Sequence, residues 1–530
     1  MKPTGAMYIA GDAVFGDAGI IHATDPADGT ELEPAFRYAG SGLAGAAAER
    51  AEAAFEPFRA ASTEQRARLL ELAADEIEAV RDAAVERAHL ETGLPVGRLT
   101  GEVARTTGQL RLFAATLRDG GWHGVRIDHE LPDRQPARRP DLRTRRVPVG
   151  PVVVFAASNF PFAFSVAGGD TAAALAAGCP VVVKAHDAHP GTSEIVAAAV
   201  TRAVGASGLP AGIFSMVFAD GPTVGLELIR HPAIAAVAFT GSRAAGLALV
   251  SAAASRPVPI PVYAEMSAVN PVFLLPERLS EAAAELGAAF TGSLTLGAGQ
   301  FCTNPGIVVG IEGPGLDRFA AAAREAVAAS APAPMLTRRI ATSYRDGEAR
   351  LAAHPAVEIV ARAAAPEGDS WGSAMLVTTT AAEFIASPDL HGEVFGATGV
   401  IVRAAAADQL LDVARAMEGQ LTATVHAAAP DASLASRLLP ILERMAGRII
   451  FNGWPTGVEV VPSMVHGGPF PATSDSRTTS VGTMAMDRFL RPVAYQDVPD
   501  ALLPSAVRES NPESLPRLVD GSYTAAVQRV

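Results

Sequence analysis

Short apolar runs alternate with amphipathic stretches through the middle of the chain. Five of these runs have the length of a buried strand: residues 152–156, 181–183, 214–218, 234–239 and 261–264. The stretches between them carry apolar residues at helical spacing, as residues 193–204 do. Strands that alternate with helices in this way predict a doubly wound α/β sheet.

The regions on either side of this alternation have patterns of their own. Residues 43–118 carry apolar residues at helical spacing with charges between them, which predicts long helices. Residues 128–146 are dense in Arg, Pro and Asp and predict an exposed arm. Beyond residue 265, helical stretches such as 281–296 and 316–330 alternate with apolar runs, which predicts a second α/β unit.

The composition excludes several classes of protein. The chain has 530 residues, of which 49% are hydrophobic and 19% charged, so intrinsic disorder is excluded for most of its length. The formal net charge of −13 argues against a nucleic-acid or anionic-membrane partner. Every apolar run falls short of the ~20 residues of a membrane span, and residues 1–10 contain no clear signal core. We expect a cytoplasmic protein.

The chain has only two cysteines, which excludes a disulfide framework. Cys179 enters an apolar strand, so we expect it to be buried and inert. Cys302 follows Gly299-Gln300-Phe301 after a predicted helix, where a turn can leave the thiol accessible. A cysteine is a strong nucleophile once it is a thiolate. A buried, inert role is the alternative for Cys302 as well.

Polar residues follow several of the predicted strands, where open α/β sheets place ligands and catalytic groups. Glu265 could act as a general base, or could be a surface or capping residue. The asparagine at 159 could donate to an oxyanion, or could simply form a turn. Gly241 allows a tight turn into a helix whose N-terminus suits a pyrophosphate, although a plain turn is the alternative. Lys184 could reach ribose or phosphate, or could be an ordinary surface lysine.

Taken in order, these segments resemble the aldehyde dehydrogenase superfamily over nearly the whole chain. The matching segments are Asn159-Phe160-Pro161, Lys184, Phe239-Thr240-Gly241-Ser242, Glu265, Asn270-Pro271, Gly299-Gln300-Phe301-Cys302 and Glu393-Val394-Phe395-Gly396. The resemblance implies that Cys302 is the nucleophile, Glu265 the general base and Asn159 an oxyanion donor. It also implies NAD(P)⁺ as cofactor and no metal. The cofactor-binding residues that it implies are Lys184, Asp187, Gly241, Ser242, Gly246, Glu393 and Phe395.

The resemblance also implies a domain organisation. Residues 1–125 and 147–264 would form a Rossmann-like cofactor-binding domain, and residues 265–490 an α/β catalytic domain. Residues 126–146 and 491–515 would form a small oligomerisation arm. The implied assembly is a homodimer, or a dimer of dimers.

A narrower resemblance lies in residues 265–267, 451–458, 464–469 and 472–479. They look like the α-ketoglutaric semialdehyde (2,5-dioxopentanoate) dehydrogenases and a related bacterial long-chain fatty aldehyde dehydrogenase. The first group implies oxidation of that semialdehyde to 2-oxoglutarate through a cysteine thiohemiacetal and a thioester. It also implies that His466 lies at the active site and aids proton transfer, with a loop-ordering role as the alternative. A general or long-chain aliphatic aldehyde dehydrogenase is the alternative function.

Details of the sequence leave the cofactor and the substrate open. NADP is the expectation for this branch, whereas the carboxylate of Asp187 would repel a 2′-phosphate and favours NAD. Ala397 and Ser158 replace residues that are common in the superfamily. The predicted substrate pocket consists of Phe160, Phe162, Ser165, Trp454 and Arg477. CoA-acylating enzymes generally lack a base like Glu265, and a non-enzymatic role fits the intact catalytic residues poorly.

Overall fold

Helices and strands alternate along most of the chain in the computed structural model, which describes residues 2–524. The first elements are β1 (Met7–Ile9), β2 (Asp12–Val14), β3 (Ile20–Thr24), β4 (Glu31–Arg37), α1 (Ser41–Arg59), α2 (Thr63–Ala79), α3 (Arg81–Thr92), α4 (Val96–Asp119), β5 (Val125–Asp128) and β6 (Leu142–Pro148). They are followed by β7 (Val152–Phe155), α5 (Gly169–Ala177), β8 (Val181–Lys184), α6 (Pro190–Ser207), β9 (Phe214–Val217), α7 (Leu226–Arg230), β10 (Ala236–Thr240), α8 (Arg243–Ala254) and β11 (Val262–Glu265).

The second half of the chain continues the alternation of helices and strands, and its last strands return to pair with β5 and β6. Its first elements are β12 (Val272–Leu274), α9 (Pro276–Thr295), β13 (Ile307–Ile311), α10 (Pro314–Ala329), β14 (Ala333–Pro334), α11 (Arg338–Ala352), β15 (Glu358–Arg362), β16 (Trp371–Gly372), β17 (Met375–Thr380) and α12 (Ala381–Ala386). The last are β18 (Thr398–Ala404), α13 (Ala407–Ala416), β19 (Gln420–His426), α14 (Ala432–Met445), β20 (Ala446–Phe451), β21 (Leu490–Gln496), β22 (Arg517–Val519) and β23 (Ser522–Thr524). None of the helices described is both long enough and apolar enough to cross a membrane.

The first sheet has seven strands in the order β11-β10-β7-β8-β9-β1-β2. Strands β7 to β11 are parallel, and β1 is antiparallel to β9. Strands β7 and β8 are buried along their whole length, because helices cover both faces of such a sheet. The apolar runs therefore predicted this sheet correctly. Its carboxyl edge carries Lys184, Thr240 and Glu265, each the last residue of its strand.

The second sheet also has seven strands, in the order β15-β17-β18-β13-β12-β19-β20. All are parallel except β15 at one edge. An apolar core on one face includes residues of α9 and α10, and the core on the other face includes residues of α13 and α14. The residues that precede β13 and β18 lie at the edge that meets the carboxyl edge of the first sheet.

The arm sheet has five strands in the order β21-β6-β5-β22-β23. Strand β21 pairs antiparallel with β6 over its whole length, from Leu490 opposite Pro148 to Gln496 opposite Leu142. A small apolar core that includes Val125, Ile127 and Val507 supports this sheet. The segment predicted as an exposed arm thus includes a regular strand. The predicted domain boundaries remain a prediction.

Helix α4 brings charged side chains towards the two large sheets. It runs for 24 residues and ends at Gly120, whose φ of 77° is the left-handed conformation that often ends helices. Its buried face carries apolar residues such as Leu99, Val103 and Leu110. Glu102 is buried on the same helix, at 5% exposure, although carboxylates are seldom buried without partners.

Candidate active site

Cys302 lies between α9 and β13, on a segment held from two sides. Gly299 has a φ of 71°, and a Cβ there would lie 2.2 Å from the carbonyl carbon of Gly396, so only glycine fits. The side-chain amide of Asn270 donates to the carbonyl oxygens of Cys302 at 2.9 Å and Asn304 at 3.0 Å. These contacts fix the position of a half-buried thiol at the junction of the two sheets.

Glu265 ends β11 and points its carboxylate towards this thiol. The hydroxyl of Ser480 donates to Oε2 at 2.8 Å, and Nε2 of His466 lies 3.0 Å from Oε1. The carboxylate is buried, since the residue is only 4% exposed. A carboxylate that is buried with two hydrogen-bonding partners is fixed in direction, and it can take a proton from an adjacent group.

His466 connects the carboxylate to the thiol. Its Nε2 atom lies 3.4 Å from Sγ of Cys302 as well as close to Glu265. The backbone N–H of His466 donates to Oγ1 of Thr479 at 2.8 Å, and its carbonyl accepts from the N–H of Ser480 at 2.8 Å. The imidazole is therefore held by its own backbone, and the three reactive groups lie within 4.8 Å of one another.

The groups in this cluster shift the pKa values of Glu265 and Cys302 in opposite directions. Burial opposes ionisation of Glu265, but the charge of His466 and the hydrogen bonds from His466, Ser480 and Cys302 outweigh it and lower the pKa of this carboxyl. Burial raises the pKa of the Cys302 thiol well above its ordinary value, and the neighbouring Glu265 charge raises it further. The resting site thus holds a neutral thiol next to an ionised carboxylate.

Asn159 lies beside the nucleophile segment, a few residues after β7. Its side-chain amide donates to the carbonyl of Gln300 at 3.0 Å, and its own carbonyl accepts from Arg98 at 2.8 Å. The guanidinium of Arg98 lies 4.6 Å from the ring centroid of Phe301. The asparagine predicted as an oxyanion donor is therefore held against the backbone that leads into Cys302.

The carboxyl edge of β8 carries a cluster of polar side chains. Nζ of Lys184 lies 3.3 Å from Oδ1 of Asp187, and the hydroxyl of Tyr38 donates to Oδ2 at 2.9 Å. The Asp187 side chain is 42% exposed and the lysine side chain 10%. Burial, followed by the charge of Asp187, raises the pKa of Tyr38. A carboxylate oriented by two donors fits the hydroxyl groups of a ribose.

The turn after β10 fits a pyrophosphate group. Gly241 donates its N–H to the carbonyl of Glu265 at 3.1 Å, and Ser242 caps α8 by accepting from the N–H of Ala245. A Cβ at Gly246 would lie 2.8 Å from the Met266 side chain, so glycine lets the helix pack closely on the sheet. The helix N-terminus then faces the same edge as Lys184.

Glu393 and Phe395 line a cleft with about 430 Å³ of empty volume, together with Gly299 and Phe301. Burial raises the pKa of Glu393 to about 8, with a smaller contribution from the charge of Glu265. The residue that replaces the usual proline, Ala397, is buried, and its carbonyl accepts from the N–H of Met375. These features fit the ribose and nicotinamide end of a dinucleotide.

The predicted substrate pocket is only partly brought together. The Phe160 ring lies 5.4 Å from that of Phe301 and 5.3 Å from that of Phe164, whose ring in turn lies 6.0 Å from His466. Ser165 is buried next to Phe164. These residues form an apolar wall beside the nucleophile.

Three pocket predictions need correction, and two of them concern side chains that face away from the wall. Phe162 packs in the core of the first sheet, because Glu102 binds its backbone N–H and the turn directs its ring inwards. Arg477 is 86% exposed at its side chain and pairs with Asp475. Neither side chain lines the predicted pocket.

The third correction concerns Trp454. Its ring packs on His426, the last residue of β19. Gln420 begins the same strand and accepts from the backbone N–H of Asn270, so that end of β19 is the one beside the site. The two ends of β19 are about 20 Å apart at ~3.3 Å per residue. Trp454 therefore lies too far along the strand to line the substrate pocket.

Sequence reasoning missed several residues at this site. Arg98, Glu102 and Arg105 lie on α4 at spacings of four and three residues, which places them on one helix face. A charged row next to the apolar face of a buried helix was the signal that could have indicated them. Ser480, which donates to Glu265, has no distinctive sequence pattern.

The reactive cluster also has ligand types that Zn²⁺ prefers. A thiol, an imidazole and a carboxylate lie within 4.8 Å of one another at Cys302, His466 and Glu265. All three groups suit covalent chemistry, which a bound metal would block. That the protein uses no metal remains a prediction.

Comparisons with known proteins support this assignment of the fold. The family model described as "Aldehyde dehydrogenase family" matches residues 15–338. The chain is 53% identical over 522 residues to alpha-ketoglutaric semialdehyde dehydrogenase 2 of Azospirillum brasilense, covering 98% of this chain and 99% of the relative. It is 44% identical over 521 residues to alpha-ketoglutaric semialdehyde dehydrogenase of Acinetobacter baylyi, covering 98% and 99%.

Solved structures share the fold at lower identity. PnpE from Pseudomonas sp. WBC-3 in complex with nicotinamide adenine dinucleotide has a TM-score of 0.78 at 22% identity, covering 94% of this chain and 97% of that one. 3,6-anhydro-L-galactose dehydrogenase has a TM-score of 0.78 at 21% identity, covering 92% and 99%. With its motifs, its two sheets and its near-full-length relatives in agreement, this chain belongs to the aldehyde dehydrogenase family.

Proposed function

We propose that this protein oxidises α-ketoglutaric semialdehyde to 2-oxoglutarate, with NAD(P)⁺ as the oxidant and a thioester on Cys302 as the intermediate. The observation that carries the reaction class is the contact of Cys302, His466 and Glu265 within 4.8 Å. The substrate is supported by two relatives that are named for this semialdehyde and match nearly the full length of the chain.

The first half of the reaction forms a bond between Cys302 and the aldehyde carbon. Glu265 lies where it can accept the thiol proton, with His466 in contact with both groups, so the thiolate is made as the aldehyde arrives. The side-chain amide of Asn159 and the backbone N–H of Cys302 are the donors for the oxygen that becomes negative. A bound NAD(P)⁺ would supply the hydride acceptor for this carbon, which Cys302 would then hold as a thioester.

The second half of the reaction removes the acyl group with water. Glu265 is buried and ionised, and it can take a proton from a water molecule that attacks the thioester carbon. The expelled Cys302 sulfur recovers a proton from His466 or Glu265. A base in this position supports hydrolysis to the free acid rather than transfer to CoA.

The proposed substrate is tested by steady-state kinetics. We expect kcat/KM for α-ketoglutaric semialdehyde to exceed that for hexanal, with release of free 2-oxoglutarate when CoA is absent. Clear preference for hexanal would favour a general or long-chain aliphatic aldehyde dehydrogenase. Cys302→Ala should abolish turnover, whereas Cys179→Ala, the matched control at the only other cysteine, should retain it.

The carboxylate of Asp187 supports NAD rather than NADP as the cofactor. Lys184 and Tyr38 hold this carboxylate at the end of β8, where the adenosine ribose of a dinucleotide would bind. A negative charge there repels a 2′-phosphate. Asp187→Asn keeps the shape and a hydrogen-bonding oxygen, and should raise the ratio of kcat/KM for NADP over NAD about tenfold. An unchanged ratio would exclude this role for Asp187.

The edges of two sheets support a homodimer. Strand β21 is at the edge of the arm sheet and β20 is at the edge of the second sheet, and edge strands offer unpaired backbone groups. We expect the arm sheet to contact a second copy of the chain. We also expect the boundary between the cofactor-binding domain and the catalytic domain to lie where the sequence predicts it. Sedimentation velocity should give the mass of a dimer or a tetramer, and a monomer would contradict this assembly.

A further inference from the structure

Arg105 on α4 carries a buried guanidinium that the mechanism does not use. Its two terminal nitrogens are buried, and neither has a hydrogen-bond partner within residues 2–524. Burial lowers the pKa of this arginine, although nearby acidic groups oppose the change. Buried charged donors without acceptors are unfavourable, so such a group indicates a ligand that is bound part of the time.

The position of Arg105 connects it to the reaction centre. Its guanidinium carbon lies 5.2 Å from the ring centroid of Phe164, and that ring lies 6.0 Å from the ring of His466. His466 contacts Cys302 at 3.4 Å. The charges of Glu102 and Glu265 both act on the guanidinium. The unpaired donors therefore lie one aromatic ring away from His466, which contacts the nucleophile.

No carboxylate among the described residues accepts a hydrogen bond from the terminal nitrogens of Arg105. Arg98, on the same helix, is held by a hydrogen bond to the carbonyl of Asn159. Glu102 accepts from the backbone N–H groups of Phe162 and Ala163 through one oxygen. Glu265, the other buried carboxylate that acts on Arg105, accepts from Ser480 and contacts His466.

Glu459 also acts on Arg105, but its side chain is exposed to solvent, which screens its charge. The two terminal nitrogens of Arg105 therefore remain free for a ligand with acceptor atoms, such as a carboxylate.

We propose that Arg105 binds the carboxylate at the end of the substrate opposite to the aldehyde, and so makes the enzyme specific for ω-carboxylated aldehydes. This rests on the proposed function, whose substrate has such a carboxylate. An extended five-carbon chain spans about 5 Å between its end carbons at ~1.5 Å per bond, which suits an arginine one aromatic ring away from the catalytic residues. The planar guanidinium can bind both carboxylate oxygens through its two free nitrogens.

The test compares two aldehydes of equal length that differ in one group. 5-Oxopentanoate carries the carboxylate, and pentanal does not. We expect Arg105→Met to lower kcat/KM for 5-oxopentanoate and for α-ketoglutaric semialdehyde about a hundredfold, mainly through KM, while kcat/KM for pentanal stays equal or rises. Arg105→Lys should recover part of the loss because it retains the charge without the planar fork.

Arg111→Met is the matched control. This residue lies on the same helix, pairs with Asp75 and is exposed, so its removal should change activity on neither substrate. If Arg105→Met lowers activity on both aldehydes equally, the residue is structural and the proposal is wrong. If the wild-type enzyme prefers pentanal to both carboxylated aldehydes, the proposed function itself fails. If the wild-type preference for the carboxylate survives in Arg105→Met, only the assignment to Arg105 fails.

Discussion

Replacing Glu265 by glutamine should make Cys302 easier to ionise, even though it removes the proposed general base. Glutamine keeps the size of the side chain and removes its negative charge. The thiol pKa is raised first by burial and then by this charge. Burial stays the same in Glu265→Gln, so the variant isolates the electrostatic part of the effect.

The size of the effect follows from the geometry of the cluster. The thiol sulfur and a carboxylate oxygen of Glu265 lie within 4.8 Å. At an effective dielectric constant of ~20, two unit charges at this separation repel by about 3 kcal/mol. That energy increases the thiolate fraction about a hundredfold. Since a less basic thiolate is also a weaker nucleophile, we expect alkylation to be about tenfold faster near pH 7.

Alkylation by iodoacetamide in the absence of cofactor measures this directly. The rate is followed by mass spectrometry, which separates the two thiols of the chain. Burial raises the pKa of Cys179 to about 11, so this cysteine contributes little. Glu393→Gln is the matched control: burial raises the pKa of Glu393 to about 8, so this carboxyl is mostly neutral near pH 7 and its replacement should change the alkylation rate little.

An equal or slower alkylation rate in Glu265→Gln would contradict this electrostatic explanation, provided that its thermal unfolding matches that of the wild type. Such a result would mean that Glu265 promotes ionisation of the thiol as a proton acceptor more than it opposes it as a charge. Steady-state turnover of the variant should fall in either case, since hydrolysis of the thioester loses its base.

Three further predictions concern the same site. His466 lowers the pKa of Glu265, so His466→Ala should raise that pKa and move the acidic limb of the kcat profile to higher pH. A pH profile that superimposes on that of the wild type would show that His466 does not affect the ionisation of Glu265. Asn270→Ala should lower the free energy of unfolding in urea by about 3 kcal/mol, because Asn270 is buried at a φ of 48° and holds the Cys302 segment; a loss below about 1 kcal/mol would contradict it. Zn²⁺ should inhibit the wild type through Cys302, His466 and Glu265, and EDTA should restore the rate; resistance to Zn²⁺ would argue against this ligand set.

The fold could be predicted from the sequence where burial alone determines the pattern of apolar and polar residues. Strands such as β7 and β8 are buried on both faces, so their residues form continuous apolar runs. Cys302 and Glu265 could be identified because each lies in a short motif with a fixed position next to a strand or helix. These motifs do not predict the direction in which neighbouring side chains point.

The incorrect pocket residues show this limit. Phe160 and Phe162 are two residues apart in one turn, yet one faces the nucleophile and the other the core. Trp454 belongs to a returning loop whose path depends on packing against α9, which comes much earlier in the chain. Arg105 was missed for a similar reason: helical periodicity predicts the helix, but the sheets decide which face of it meets the active site.

The division of the reactive residues between two sheets has a consequence for how the enzyme matures. Glu265 ends the first sheet, Cys302 belongs to the second, and residues 472–474 lie alongside β11 through backbone bonds from Met266 to Ala472 and from Ser474 to Ala264. A newly made chain that has folded only one sheet therefore has a thiol without its base, or a base without its thiol. Because burial and the charge of Glu265 both oppose ionisation of the thiol, Cys302 should react with electrophiles more readily before the two sheets dock than after, and the fall in its reactivity becomes a marker of the last docking step in folding.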